Sequence, residues 1–448
     1  VPAAGHVQAT VLAARPLQAR ATSASALPAK FMHPAELPAA KTKAAAGLQP
    51  APLQQAPSRA PASASIFNGL NQPGLSAADE NAGLTPPDST GAIGPTRYVE
   101  MVNQLVAVYD RSNLSLLSRT DLGSFVGAPA GVNTSDPQIQ WDPQGNRWLY
   151  AEIGFATGNN YVVFGWSKTA DPSDLAAGWC HYGIATGSML QDYPKLGHDA
   201  HFLIVGANAY DDSKPGFPFV TANVWAIPKP AANDSTCSSP VTATYFADAT
   251  HLLKNTDGTL AFTPVPGNAS DNVANDYILG AHDVTLAAQS KVMVWHMESR
   301  PNPVLVADGD VNVGTFAMPA AAPQPGTTYL IDTLDGRFTQ AVAHFDSGVG
   351  AEAYWTQQTV AGAGGRSIVR WYEFAPSLAA PIVQQGQLSS ATDFLWNAAI
   401  SPSTGGRDAA IFYNRGSASL LAVLGAQSRT SSTPLGQMDP GEVLLGSS

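Results

Sequence analysis

What most limits the folds open to this chain is a recurrence of short runs packed with aromatic and β-branched residues. They include Tyr98-Val99-Glu100-Met101-Val102, Arg147-Trp148-Leu149-Tyr150-Ala151-Glu152, Tyr161-Val162-Val163-Phe164-Gly165-Trp166 and His201-Phe202-Leu203-Ile204-Val205. Lys291-Val292-Met293-Val294-Trp295-His296, Ser367-Ile368-Val369-Arg370-Trp371-Tyr372 and Ala409-Ala410-Ile411-Phe412-Tyr413 continue the series. Such runs fit a pleated, half-buried surface, and Gly, Pro, Asn and Asp bound them as turns bound strands. Polar phrases introduce the units every ~40 to 70 residues, a period that indicates stacked or radial repeats.

Openings near Gly91, Asp136, Asp192, Asp276, Arg337 and Asp393 mark six units, each reading as a short strand, a turn and a longer aromatic strand. Four-stranded units repeated about an axis make a β-propeller, which leaves only short, protected edges. The expected fold is therefore all-β, a propeller of six or seven four-stranded blades over 66–448. Composition agrees: 13% of residues are charged, whereas Gly (40) and Pro (35) are abundant, which favours turns over surface-charged helices.

Residues 1–65 read differently, as a flexible, extended Ala/Pro-rich leader or pro-segment, with a short helix over 7–14. They carry six basic residues against Glu36 alone, a balance of +5, so the remainder holds 17 basic and 33 acidic residues, or −16. An acidic body argues against a phosphate backbone as the main ligand, so no nucleic acid is expected. No stretch approaches the ~20 apolar residues of a membrane-spanning helix. The two cysteines, Cys180 and Cys237, lack the spacing of a zinc site and are expected to pair as a disulfide in an export compartment.

The phrase from Pro86-Pro87-Asp88-Ser89-Thr90-Gly91 to Tyr98-Val99, then Asp136-Pro137-Gln138 with Asn146-Arg147-Trp148, and Asp192-Tyr193-Pro194-Lys195-Leu196-Gly197 together carry a resemblance. They resemble a group of secreted bacterial proteins similar to the sialidase-like propeller superfamily, most of them without an assigned activity. The likeness covers about residues 85–440. It implies a propeller fold and a secreted or cell-surface location, and it brings no mechanism. The Ser-x-Asp-x-Gly-x-Thr-Trp box of true sialidases is absent, so sialic acid hydrolysis is not implied.

If the recurring phrases open the inner strands of a propeller, Asp136, Asp192, Tyr193, Arg337 and Asp393 gather at the mouth of its channel. Asp there would serve as general acid or base, Tyr as proton donor and Arg as a carboxylate clamp, with Lys195, Gln340 and Trp396 as binding residues. The competing expectation is that these aspartates cap turns. His198-Asp199-Ala200-His201 and His282-Asp283 hold metal-ligand types, but strand alternation gives each phrase at most two co-facial groups, so coordination would need partners from another unit. No cofactor is required, and a structural calcium on Asp side chains and loop carbonyls is the ion to expect. His296, Glu298 and Arg300 alternate along one strand face, as do Arg370 and Tyr372, which suits a lyase on acidic sugars or plain cross-strand pairing. The expected partner is an extracellular polysaccharide or glycan, bound and cleaved by a glycoside hydrolase or lyase site, or bound without turnover by a surface or matrix module.

Overall fold

The structure, a computed structural model, describes residues 5–17, 32–47, 70–76, 79, 87–237, 241–298 and 302–445. The chain divides into two compact units. Unit 1 comprises Val1–Lys30, Leu70–Ile278 and Trp295–Ala307, and unit 2 comprises Phe31–Gly69, Leu279–Val294 and Asp308–Ser448.

Four-stranded antiparallel meanders fill both units. The first runs through Thr90–Ile93, Arg97–Val102, Leu105–Asp110 and Leu116–Asp121. The second comprises Asn133–Asp142, Arg147–Phe155, Asn160–Ser167 and Trp179–Gly187. Met189–His198, Phe202–Asp211, Phe219–Pro228 and Val241–Phe246 form the third. In unit 2, one meander comprises Phe338–Asp346, Ala351–Ala361, Ser367–Phe374 and Ile382–Leu388. Another comprises Phe394–Pro402, Ala409–Ser417, Leu420–Arg429 and Val443–Leu445. Between these sets lie four further strands, Val265–Ala269, Tyr277–Ala281, Gln289–Glu298 and Val304–Phe316. The repeated meander is a propeller blade, and the fold class is the all-β propeller expected from the recurrence. One opening is displaced: Asp276 leads into the second strand of its group, because Val265–Ala269 precedes it.

The aromatic runs are the second and third strands of the meanders, and packing on both faces explains why they read as nearly continuous apolar segments. Every residue of Arg147–Phe155 is buried. Trp148 and Tyr150 face the first meander, joining Val99, Val108, Phe125 and Trp179. Leu149 and Ala151 face the third, joining Trp166, Tyr182, Leu203 and Trp225. Each large aromatic ring removes 150–250 Å² from water, so at about 25 cal/mol per Å² such a ring contributes roughly 4–6 kcal/mol before entropy is counted.

Residues 9–16 correct part of the leader expectation. Ala9–Pro16 is a β-strand instead of a helix or a free tail, pairing antiparallel with Val241–Phe246 from Ala9↔Phe246 to Ala14↔Val241. Its far end meets the second meander at Arg15↔Gly183 and Pro16↔Tyr182. Further along, Leu37–Ala46 is an α-helix within unit 2. The rest of the stretch expected as leader, apart from residues 5–8, 17, 32–36 and 47, lies outside the described residues.

Cys180 and Cys237 form the expected disulfide, with Cα atoms 5.3 Å apart. It ties the last strand of the second meander to the loop after Phe219–Pro228, closing a span of 57 residues. Cross-links of this kind typically stabilise by about 2–4 kcal/mol. Among the described residues, no helix is long and apolar enough to cross a membrane.

Candidate functional site

The Asp-led phrases become β-bulges in the first strands of the meanders. Register shifts fall between Ser135 and Gln138, Asp192 and Lys195, Phe338 and Ala341, and Trp396 and Ala399. At three of them the bulged residue takes a left-handed backbone, with φ of 54° at Asp136, 55° at Tyr193 and 44° at Asn397. A bulge breaks side-chain alternation and re-aims the residues it carries. Four of the six recurring openings thus lead into bulged strands.

In unit 1 two of these bulges help to form one polar cluster. Asn103, in the turn between two strands of the first meander, donates from Nδ2 to Asp88 Oδ2 at 2.8 Å and accepts the Asp136 backbone N–H on Oδ1 at 2.9 Å. Ser135 Oγ donates to Asp136 Oδ1 at 2.7 Å. Lys195 Nζ lies 3.6 Å from the centroid of the Tyr193 ring, a cation–π arrangement. Asp88 is exposed and Asp136 half-buried, whereas Asp192 and Lys195 are buried and Asp192 takes its place in the ladder opposite Asn208.

The two carboxyls are electrostatically coupled. Surrounding protein mass, and then the charge of Asp136, push Asp88 up to about 6, against the Asn103 hydrogen bond and Lys195. Because Asp88 is open to water by its accessible surface, screening keeps the energy of that coupling modest. Desolvation also raises Asp136, opposed by Ser135, by Lys195 and by a hydrogen bond from the Tyr193 backbone. Two acids whose surroundings treat them differently, with an ammonium beside them, make a set able to bind hydroxyl donors and to hold a proton near neutral pH.

The remaining predicted residues lie in unit 2, where protein partners engage them. Arg337 is buried and forks onto Asp335, with Nε to Oδ1 and the second nitrogen to Oδ2 both at 2.7 Å. Asp393 accepts from Arg415, 2.8 Å from Nε and 2.6 Å from a terminal nitrogen, and Arg415 also bonds Glu442. Gln340 Nε2 donates to the Ile400 carbonyl at 2.8 Å, and Trp396 packs with Ala320, Ala322 and Phe394.

The histidine phrases likewise find partners. His198 Nδ1 lies 2.9 Å from Gln140 Oε1, and its Nε2 is 3.9 Å from Asp142, which accepts from Lys229 at 2.8 Å. Burial lowers the His198 pKa to about 4 although Asp142 opposes this. Asp199 accepts the backbone N–H groups of His201 and Phe202, capping a turn. His282 Nε2 lies 2.9 Å from Asp310 Oδ1. His296 and Glu298 share a face with 4.0 Å between their polar atoms, and Arg300 lies outside the described residues. Arg370 donates to the Thr315 carbonyl, and the Tyr372 hydroxyl accepts from Gln358 at 2.6 Å.

Sequence reasoning missed Asp88 and Asn103 as site residues. Asp88 stands inside the quoted Pro87-Asp88-Ser89-Thr90 phrase, but only the fold brings Asn103 between it and Asp136.

No family model matches the chain, and no curated protein matches it. Solved structures with a similar trace include a neuraminidase-like protein of A/little yellow-shouldered bat/Guatemala, at 8% identity over 73% of this chain and 90% of that one, with a TM-score of 0.39. An exo-1,5-alpha-L-arabinanase from a bovine ruminal metagenomic library has 10% identity over 68% and 96%, with a TM-score of 0.33. An apocarotenoid oxygenase from Synechocystis has 10% identity over 84% and 75%, with a TM-score of 0.42. Likenesses at this level decide neither activity nor ligand for this chain.

Proposed function

We propose that the chain is an exported protein that binds an extracellular carbohydrate through the unit 1 cluster of Asp88, Asn103, Asp136, Tyr193 and Lys195. The observation that carries this reading is that Asn103 links an exposed carboxyl, Asp88, to the backbone of a half-buried acid, Asp136, whose strand is bulged there, as the neighbouring meander is at Tyr193. Carboxylates and amides accept and donate to vicinal hydroxyls, and a Tyr ring offers a face for a sugar ring. A disulfide and the absence of a membrane-spanning helix among the described residues are compatible with an extracellular location.

A glycan array followed by titration calorimetry on a retained glycan tests the reading. Asp136→Asn and Lys195→Ala are expected to weaken binding at least tenfold, whereas Arg337→Ala, which strips Asp335 of its partner, lowers thermal stability instead. Retention of no glycan, or full affinity in both cluster variants, removes the proposal. The same titrations after EDTA treatment test the structural calcium, whose loss would weaken binding or lower the melting temperature.

Turnover is a second reading, carried by the Asp88 carboxyl, pushed up to about 6 beside a second acid. Such a group can donate a proton to a leaving oxygen while its neighbour acts as base or nucleophile. New reducing ends, or unsaturated products from a uronate polymer, would establish it. Binding without either leaves a non-enzymatic surface or matrix module.

A further inference from the structure

A cleft of about 350 Å³ opens between the second and third meanders of unit 1, in the size range of small-molecule sites. Its lining is mostly apolar, with Phe155, Leu190 and Phe217 as walls and Asn133, Asn160 and Asp212 as polar groups. Asp212 is buried, 7% exposed. Its Oδ2 accepts from the Gly158 backbone at 2.9 Å and from Asn160 Nδ2 at 2.7 Å, both neutral donors. Its Oδ1 is shielded from water and has no hydrogen-bond partner. The nearest cation in sequence, Lys214, is committed to Asp211 at 2.9 Å. A buried acceptor left in this state is costly, and a donor that reached it would recover that cost.

The wall beside Asp212 is also strained. Phe217 holds φ at 50°, in the left-handed region that a bulky side chain seldom adopts and that gathers at ligand sites. The orphaned oxygen and the strained aromatic wall are independent features of one cavity.

We propose that this cleft binds a small organic ammonium with an apolar body, its N–H on Asp212 Oδ1 and its body between Phe155 and Phe217. A cation is selected because the acid has only neutral partners, and aromatic faces attract a cation while supplying contact area. Anions are repelled by Asp212, and a neutral ligand gains no charge attraction from it. Because Oδ1 is shielded, the donor reaches it only when a side chain of the wall moves aside. This site does not rest on the Asp88 and Asp136 cluster.

Calorimetric titration of the full chain with benzylammonium chloride, and with benzyl alcohol as its neutral counterpart, tests the assignment. Benzylammonium should bind at least tenfold more tightly than the alcohol. Asp212→Asn, which keeps an acceptor for Gly158 and Asn160, should abolish that preference. Thr157→Trp, at the exposed rim, should block both probes without touching the acid, and it serves if Asp212→Asn fails to fold. No binding of benzylammonium, equal affinity for the two probes, or an unchanged preference in folded Asp212→Asn overturns the proposal.

Discussion

At the scale of single residues, the acidic side chains fall into two populations with opposite roles. Asp110, Asp211, Asp234 and Asp248 each accept the backbone N–H and the hydroxyl of a Ser or Thr two positions on, closing a tight turn. Those hydrogen bonds hold the carboxyls below their usual range, Asp248 at about 2. This turn pattern is legible as Asp-x-Ser/Thr, because both partners are local in sequence. Glu152 belongs to the other population: fully buried between Tyr150 and Val163 neighbours, both its oxygens lack a hydrogen-bond partner, and burial pushes its carboxyl well up. The strand context was readable, but nothing in the run Trp148-Leu149-Tyr150-Ala151-Glu152 marks which face is dry. Glu152→Gln should raise stability at pH 7.5 by about 1–3 kcal/mol, since it removes a group that the unfolded chain ionises and the fold keeps neutral. At pH 4 the gain should vanish. Urea denaturation at the two pH values checks this, and a loss of stability at pH 7.5 would reveal a partner essential to the acid.

At the scale of elements, Ala9–Pro16 shows where reading by pattern stops. Its Ala-rich sequence favours a helix by propensity, and its strand partner, Val241–Phe246, is far along the chain. Tertiary pairing overrides the local preference, and no local signal announces it. Alternation within the strand supplies a test: Leu12 packs against the core with Ala14 buried beside it, whereas Val11 is 67% exposed. Leu12→Asp should cost about 2–3 kcal/mol by burying a charge at that contact, while Val11→Asp should stay within about 0.5 kcal/mol. Equal effects in thermal melts would mean that the segment is not seated as a strand. The first strands of the meanders were legible by comparison from their polar openings, but their bulges were not, since the left-handed backbone at Asp136 and Tyr193 is seen only in the fold. What they gather was not legible: the partner of Asp136 is Asn103, from a different meander. Arg337 and Asp393 show the same limit, because Asp335 and Arg415 engage them in contacts that residue type alone does not foretell.

For the molecule as a whole, these groups fix how stability depends on pH. The turn aspartates have lowered pKa values, so their contribution is present above about 4 and is lost as the solution is acidified toward 2. Burial holds His181 and His198 at about 4, below their usual 6.5. The unfolded chain therefore takes up protons first, and stability is lost as pH falls from 6.5 to 4. The raised acids act in the opposite sense. Burial is the main cause of the shift of Glu373 to about 8; Gln384 opposes it and the Asp346 carboxyl adds to it. Burial raises Glu152 as well, and Asp88 stands at about 6. Each binds a proton in the fold that the unfolded chain has released, so stability falls as pH rises through these windows. Between 4.5 and 6.5 the histidines and the raised acids oppose each other. Above 6.5 the histidine contribution is complete, and Glu373 and Glu152 remain, each able to remove up to about 1.4 kcal/mol per pH unit. Stability should accordingly peak in mildly acidic solution and decline by at least about 1 kcal/mol from pH 6.5 to 8. In the double variant Glu152→Gln/Glu373→Gln that decline should flatten, while the acid limb set by the turn aspartates stays in place. Urea midpoints at pH 5, 6.5 and 8 for both proteins decide the matter: a profile rising toward pH 8, or an undiminished decline in the double variant, would show that the buried acids are not what limits stability there.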